Sequence, residues 1–411
     1  MVPAGRDSGS RLVAVTSWLA RRSETDRRLL IVAALLAFAA AVQHWYSIAD
    51  GIRVQFAHDV SSYLVIAHAA PSLPTEKVLQ PFAERIPVHW VVGVISNTGV
   101  SLDIVYRIGM LACLLGIVLA VHGTLSRIGL DTAEYTLAMA ALVASAYPFH
   151  YLLASPGMLS DATLMLGVAL LLLGFARGRF WIVLLGLALG TAGRQTMVPV
   201  AVIAAGWAFV APTWRQMRWK AAAACLAIPA AIYGALNLAA RRFGYPEPGG
   251  LHDLSVLGFF TSPHALIDHF GRVTLGVMVP AALGLGAWLR VRNPLPRGAI
   301  LVAVAVASQP LVLGPSSNGG NEPRLAGLAA PALVIAAAAL LRGSCLTRRE
   351  TAIALVAIII AGLHSRYTHS PLLRNYVWAG AEVVAAITLV AVLGQPTLNR
   401  RGPPADPQST A

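Results

Sequence analysis

The chain has 411 residues, 57% of them hydrophobic and only 12% charged, with a mean hydropathy of +0.67. That composition excludes a water-soluble globular domain of this length and leaves lipid as the solvent. The net charge of +13 would suit nucleic acid, but no nucleic-acid partner is needed, because the placement of the charges relative to a membrane accounts for it.

Residues 1–28 form a basic tail with six arginines, and the stretch from Arg11 to Ala20 presents Leu12, Val15, Trp18 and Leu19 to a headgroup region or stays disordered. The apolar run that follows is longer than the core of a secretory signal, which predicts an uncleaved anchor. Apolar runs then recur near 29–47, 104–125, 136–154, 161–176, 180–193, 197–211, 221–240, 273–289, 298–314, 325–341, 351–364 and 376–394. They predict an all-α, polytopic transmembrane bundle of about twelve spans occupying 29–394, followed by a disordered tail over 395–411. The cysteines Cys113, Cys225 and Cys345 are far apart and form no disulfide framework.

With both ends on the cytoplasmic side, 20 basic residues fall inside and 11 outside, which satisfies the positive-inside rule, and the bias to arginine, with Lys77 and Lys220 the only lysines among 31 basic residues, points to a bacterial protein and so to its cytoplasmic membrane. Membrane lipids are the first partner this implies. Ten of the eleven histidines fall in outer loops or at outer helix ends, leaving His122 near the inner side. Two outer segments, 48–103 and 241–272, are long, mix acids, histidines, arginines and aromatics with apolar stretches, and are expected to pack as interfacial amphipathic helices.

The first of these segments carries His58-Asp59-Val60-Ser61-Ser62-Tyr63 after Asp50-Gly51. Asp59 and Tyr63 share a helix face, and a partly desolvated acid beside a histidine suits a general base. A helix N-cap is the structural reading of the same residue. The second motif is Gly190-Thr191-Ala192-Gly193-Arg194-Gln195-Thr196, between apolar runs of 14 and 15 residues that reach only about 21 to 23 Å. Arg194 is therefore expected below the outer surface, where it needs an anion or a buried acid such as Asp161 or Glu382. A third, Pro315 to Arg324, puts glycines beside an arginine at the head of a span, an arrangement that suits an anion or serves as a capped turn. Asp161, Arg241, Arg242, Tyr245, Arg366, Tyr367 and Arg374 are further outer candidates by position. No phosphate-binding loop, HExxH helix, nucleophile elbow or CxxC pair is present, which argues against ATP-driven chemistry.

The layout resembles the GT-C superfamily of integral membrane glycosyltransferases. Asp59 in His58-Asp59-Val60-Ser61-Ser62-Tyr63 matches the family's early acid, Gly193-Arg194-Gln195 its middle Gly-Arg-Glu type motif, and Glu322-Pro323-Arg324 its late arginine loop. A single acid stands where many relatives have a pair, and Gln195 replaces the usual glutamate. The resemblance implies a polyprenyl-phosphate-linked sugar donor, Asp59 as catalytic base, and His58, Tyr63, Arg194, Gln195, Glu322 and Arg324 around the substrate. No cofactor is required by it, although it leaves room for a divalent cation. If it holds, Asp59, Arg194 and Arg324 must meet in one place. A secondary transporter, or a polymerase-like membrane protein that handles lipid-linked glycans without catalysis, is the competing expectation.

Overall fold

A computed structural model describes residues 23–48, 57–245, 263–312, 322–370 and 373–395. The tail 1–22, Asp50-Gly51, most of the second long outer segment, the glycine-rich residues 315–321 and the C-terminal tail from 396 lie outside the described residues. The regular structure described is helical apart from one two-residue strand pair and an isolated bridge, with turns and short loops between the helices.

α1 (Glu24–Val42) begins at the cap Ser23, whose side chain accepts from the Asp26 amide at 3.2 Å. The first outer segment then folds as α2 (Ala57–Ala69), β1 (Val78–Leu79), α3 (Gln80–Ala83) and α4 (Ile86–Ser96). α5 (Leu102–Ile128) follows, capped by Ser101 and stopped by the left-handed Gly129 at φ 78°. α6 (Thr132–Val143) starts in a capping box, with Glu134 donated to by the Asp131 amide and Asp131 by the Glu134 amide. A π-helical turn, Ala146–His150, leads to α7 (Tyr151–Ala154), then a 3-10 turn and α8 (Leu159–Arg177). α9 (Phe180–Gly193), α10 (Met197–Val210) and α11 (Arg218–Ala240) complete the first part of the bundle, and β2 (Gly244–Tyr245) pairs in parallel with β1. Beyond it come α12 (Pro263–Val291), α13 (Arg297–Ala307), α14 (Gln309–Val312), α15 (Glu322–Gly327), α16 (Ala330–Leu341), α17 (Arg348–Gly362) and α18 (Asn375–Leu393).

Five of these stretches are long and apolar enough to cross a membrane: Leu102–Ile128, Pro156–Arg177, Pro212–Ala240, Leu266–Val291 and Asn375–Leu393. Their exposed leucines, isoleucines and valines, such as Ile108, Leu115, Leu238 and Ile387, give lipid an apolar surface to contact. α4, α6, α9, α10, α13 and α16 are apolar but shorter.

Three runs expected as continuous spans are broken. The run 136–154 is interrupted at Tyr147, whose backbone is extended (φ −111°, ψ 114°); 298–314 breaks after Ala307, and 325–341 after Gly327. Each break sits beside a proline: Pro148 follows the extended Tyr147, where the ring disfavours helical backbone in the preceding residue, and Pro310 and Pro331 stand in the first turn of the helix that resumes, where a missing N–H costs nothing. The first run, expected at 29–47, is helical from Glu24 to Val42, because Ser23 fixes its start earlier.

α8 lies at the centre of the bundle and is buried along most of its length. It packs most closely on α9, where glycines let the backbones meet: a Cβ added to Gly167 would lie 2.5 Å from the Gly190 Cα. The two long outer segments are joined to one another. Val78 pairs with Gly244 and Leu79 with Tyr245, over a small cluster of Ile66, Ala83, Ile86, Ala240 and Phe243.

Candidate functional site

α2 follows the predicted face: Asp59 and Tyr63, one turn apart, are both buried and point into the protein. Arg324 on α15 binds the Asp59 carboxylate, Nη2 to Oδ2 at 3.0 Å, and its Nε lies 3.4 Å from Oδ2 of Asp161. Asp161 stands in the first turn of α8, where the positive end of the helix favours a carboxylate. It also receives the Arg194 guanidinium through Oδ1 and the Tyr151 hydroxyl at 3.4 Å through Oδ2. Arg194 reaches it from the end of α9, and its own backbone amide is held by the Gly190 carbonyl at 2.9 Å.

A third guanidinium completes the cluster. Arg85, in the turn between α3 and α4, is buried and donates through Nη1 to the Tyr63 hydroxyl, which the Ser160 hydroxyl approaches at 3.5 Å. The other face of Tyr63 is covered by His89, stacked at 3.8 Å, with its Nδ1 2.9 Å from the Tyr106 hydroxyl. Burial pushes the Tyr63 phenol upward, with Arg85 acting in the opposite sense. Burial, and then Arg85, push the His89 imidazole down to about 3, so this ring is neutral at physiological pH. The arrangement contains two carboxylates, Asp59 and Asp161, and three guanidiniums, those of Arg85, Arg194 and Arg324. Among the described residues the cluster therefore carries one more guanidinium than carboxylate, held out of water, where an incoming anion is favoured.

Asp59, Tyr63, Arg194 and Arg324 are thus brought together, with Asp161 as the point where the two arginines meet. The alternative partner for Arg194, Glu382, is elsewhere: it is buried in α18, and its Oε2 has no hydrogen-bond partner among the described residues. Two expected substrate residues face away from the cluster. Arg194 has extended backbone, so the next side chain leaves on the opposite side, and Gln195 donates to Glu84 and, at 3.3 Å, to the Pro81 carbonyl. Glu84 also accepts from Gln80 at 3.1 Å and Asn237 at 2.9 Å, making an amide-lined anchor between the outer segment and α11. Glu322 is two residues from Arg324 on one helix and so turned away by about 200°. It meets His269 at 3.0 Å and Arg272 at 3.8 Å, both on α12. The side chain of His58 lies outside the described residues. Arg85, Tyr151 and Ser160 were not foreseen, and His89 only as one of the ten outer histidines. Their only sequence signal is a charged or polar residue beside an apolar run.

The cluster and the basic residues of the shorter loops stand at opposite helix ends. Asp161 opens α8 and Arg177 closes it, a rise of about 24 Å. Among the described residues no group of three or more His, Cys, Asp or Glu side chains is placed to hold a metal ion. No known family, curated protein or solved structure matches the chain.

Proposed function

We propose that this protein is a membrane-embedded glycosyltransferase of the GT-C kind, which moves a sugar from a polyprenyl-phosphate donor to an acceptor hydroxyl on the membrane face away from its short basic loops. The observation that carries the reading is the buried convergence of Asp59, Asp161, Arg85, Arg194 and Arg324, a cluster in which guanidiniums outnumber carboxylates among the described residues. In this reading the lipid phosphate enters beside Arg194 and Arg324 and competes with Asp59 for the Arg324 guanidinium. Asp59 is thereby freed to take the proton of the acceptor hydroxyl as its oxygen bonds to the anomeric carbon. The bond from that carbon to the phosphate oxygen breaks, and the electron pair departs on the phosphate, whose growing charge the arginines stabilise in a low-dielectric site. Twelve crossings, cytoplasmic termini and a bacterial inner membrane belong to the same reading. They are supported by the 20 to 11 division of basic residues and by the apolar character of the shorter helices.

The test is Asp59→Asn in proteoliposomes supplied with a panel of polyprenyl-phosphate hexoses and pentoses. Turnover is expected to fall by about 10²-fold or more while polyprenyl monophosphate still binds. Unchanged turnover would reject Asp59 as the base. A transporter is the second reading, favoured by the buried Glu382 in α18, whose Oε2 has no hydrogen-bond partner among the described residues. It would be revealed by solute uptake that Glu382→Gln abolishes and Asp59→Asn leaves intact.

A further inference from the structure

A second place where shape and charge coincide lies at the other end of the bundle. A groove of about 770 Å³ opens there between α5, α8, α10, α13 and α16. Leu172, Phe175, Ile203, Trp207, Leu301 and Ile335 give it apolar walls. Phe175 and Trp207 stack at 4.1 Å with their planes 10° apart, which stiffens the side formed by α8 and α10. Arg127, in the last turn of α5, and Arg297, the first residue of α13, line the same groove. Arg177, at the end of α8, lies close by: a Cβ on Gly123 of α5 would be 3.0 Å from its Nη2.

These three arginines differ from others at that end. Arg28 is bound to Glu24 at 3.1 Å and Arg290 to Glu350 at 2.9 Å. Arg127, Arg177 and Arg297 are exposed and have no carboxylate partner among the described residues. An apolar groove with free cations at its mouth fits a ligand that is apolar along its length and anionic at one end. An inorganic anion has nothing to place against Leu172 or Ile203. A zwitterionic lipid brings its own ammonium group to the arginines, which repel it.

We propose that this groove holds an acyl chain of an anionic phospholipid, with the headgroup phosphate bound by Arg127 and Arg297 and attracted by Arg177. Because the groove lies about 24 Å along α8 from Asp161, this lipid is separate from any donor bound at the Asp59 cluster. The proposal does not depend on the glycosyltransferase reading.

Trp207 reports on the groove directly. The whole protein, in nanodiscs of a neutral lipid, would be titrated with phosphatidylglycerol or phosphatidylcholine carrying the same brominated chains. The fluorescence quenching lost in Trp207→Phe gives the signal from the groove. Quenching by phosphatidylglycerol is expected at roughly ten-fold lower lipid fraction than by phosphatidylcholine, from two arginines at the headgroup. In the double variant Arg127→Gln and Arg297→Gln the two lipids should become equal, with the phosphatidylcholine curve unmoved. Equal quenching in the wild type, no quenching that depends on Trp207, or a preference that survives the double variant would overturn the proposal. So would loss of the preference in millimolar inorganic phosphate, since that assigns the arginines to a free anion. If Trp207→Phe does not fold, native mass spectrometry decides. More phosphatidylglycerol must remain on the wild type than on the double arginine variant, and equal retention rejects the site.

Discussion

Asp161 accepts hydrogen bonds from Arg194 and Tyr151 and pairs with the Arg324 guanidinium, and it does so fully buried at the start of the central helix. Replacing it with asparagine keeps the shape but leaves the three buried guanidiniums of Arg85, Arg194 and Arg324 with Asp59 as the one remaining carboxylate of the cluster. A loss of about 3–5 kcal/mol is expected, read as a lowered unfolding midpoint in detergent. The double variant Asp161→Asn with Arg194→Gln should be less damaged than the sum of the single changes, because it removes the charge that the first variant orphans. Strict additivity would show that the pair contributes nothing as a pair. Individual charges in this cluster could be read from the sequence where they interrupt apolar runs, as Asp59, Arg194 and Arg324 do. Their partners could not. Arg85 meets Tyr63 through a turn whose direction depends on tertiary packing, and the outward faces of Gln195 and Glu322 follow from backbone angles that composition does not encode.

Helices α8 and α9 show how elements are set by what is missing from them. Gly167, Gly186 and Gly190 bring the two backbones into direct contact, which residues with side chains would prevent. Gly167→Leu should therefore destabilise by about 1–3 kcal/mol or more, seen as loss of monodisperse protein on size-exclusion chromatography. Gly234→Leu is the control: an added Cβ there meets nothing, so little change is expected. If both variants behave alike, the glycine contact is not what holds α8 to α9. The helical character of the elements was legible from the apolar runs, and the boundaries of 180–193 and 221–240 are close to those observed. The breaks at Tyr147, Ser308 and Leu328 were not, since apolar residues continue across them and only Pro148, Pro310 and Pro331 mark the places. Those breaks bring Tyr151 and Arg324 to the cluster rather than leaving them on uninterrupted spans.

At the scale of the whole molecule, the two kinds of arginine define opposite ends: those at the Asp59 cluster are buried against acids, and Arg127, Arg177 and Arg297 are exposed without them. In the proposed topology the positive-inside rule assigns the second group to the cytoplasmic side. Cys345 lies at that end, exposed, between α16 and α17, whereas Cys225 is buried and Cys113 partly so. A membrane-impermeant maleimide should label Cys345 in inverted vesicles and not in right-side-out ones, and the reverse pattern would invert the topology. The ion pair between Arg324 and Asp59 has a further consequence, which concerns time. Its partners are 265 residues apart, whereas Arg194 and Asp161 are separated by 33. At about 5–20 residues per second of synthesis, Asp59 waits roughly 13 to 53 s for Arg324 to be made. During translation the carboxylate of α2 therefore stays with water or lipid headgroups, and the cluster closes only when the last third of the chain enters the membrane.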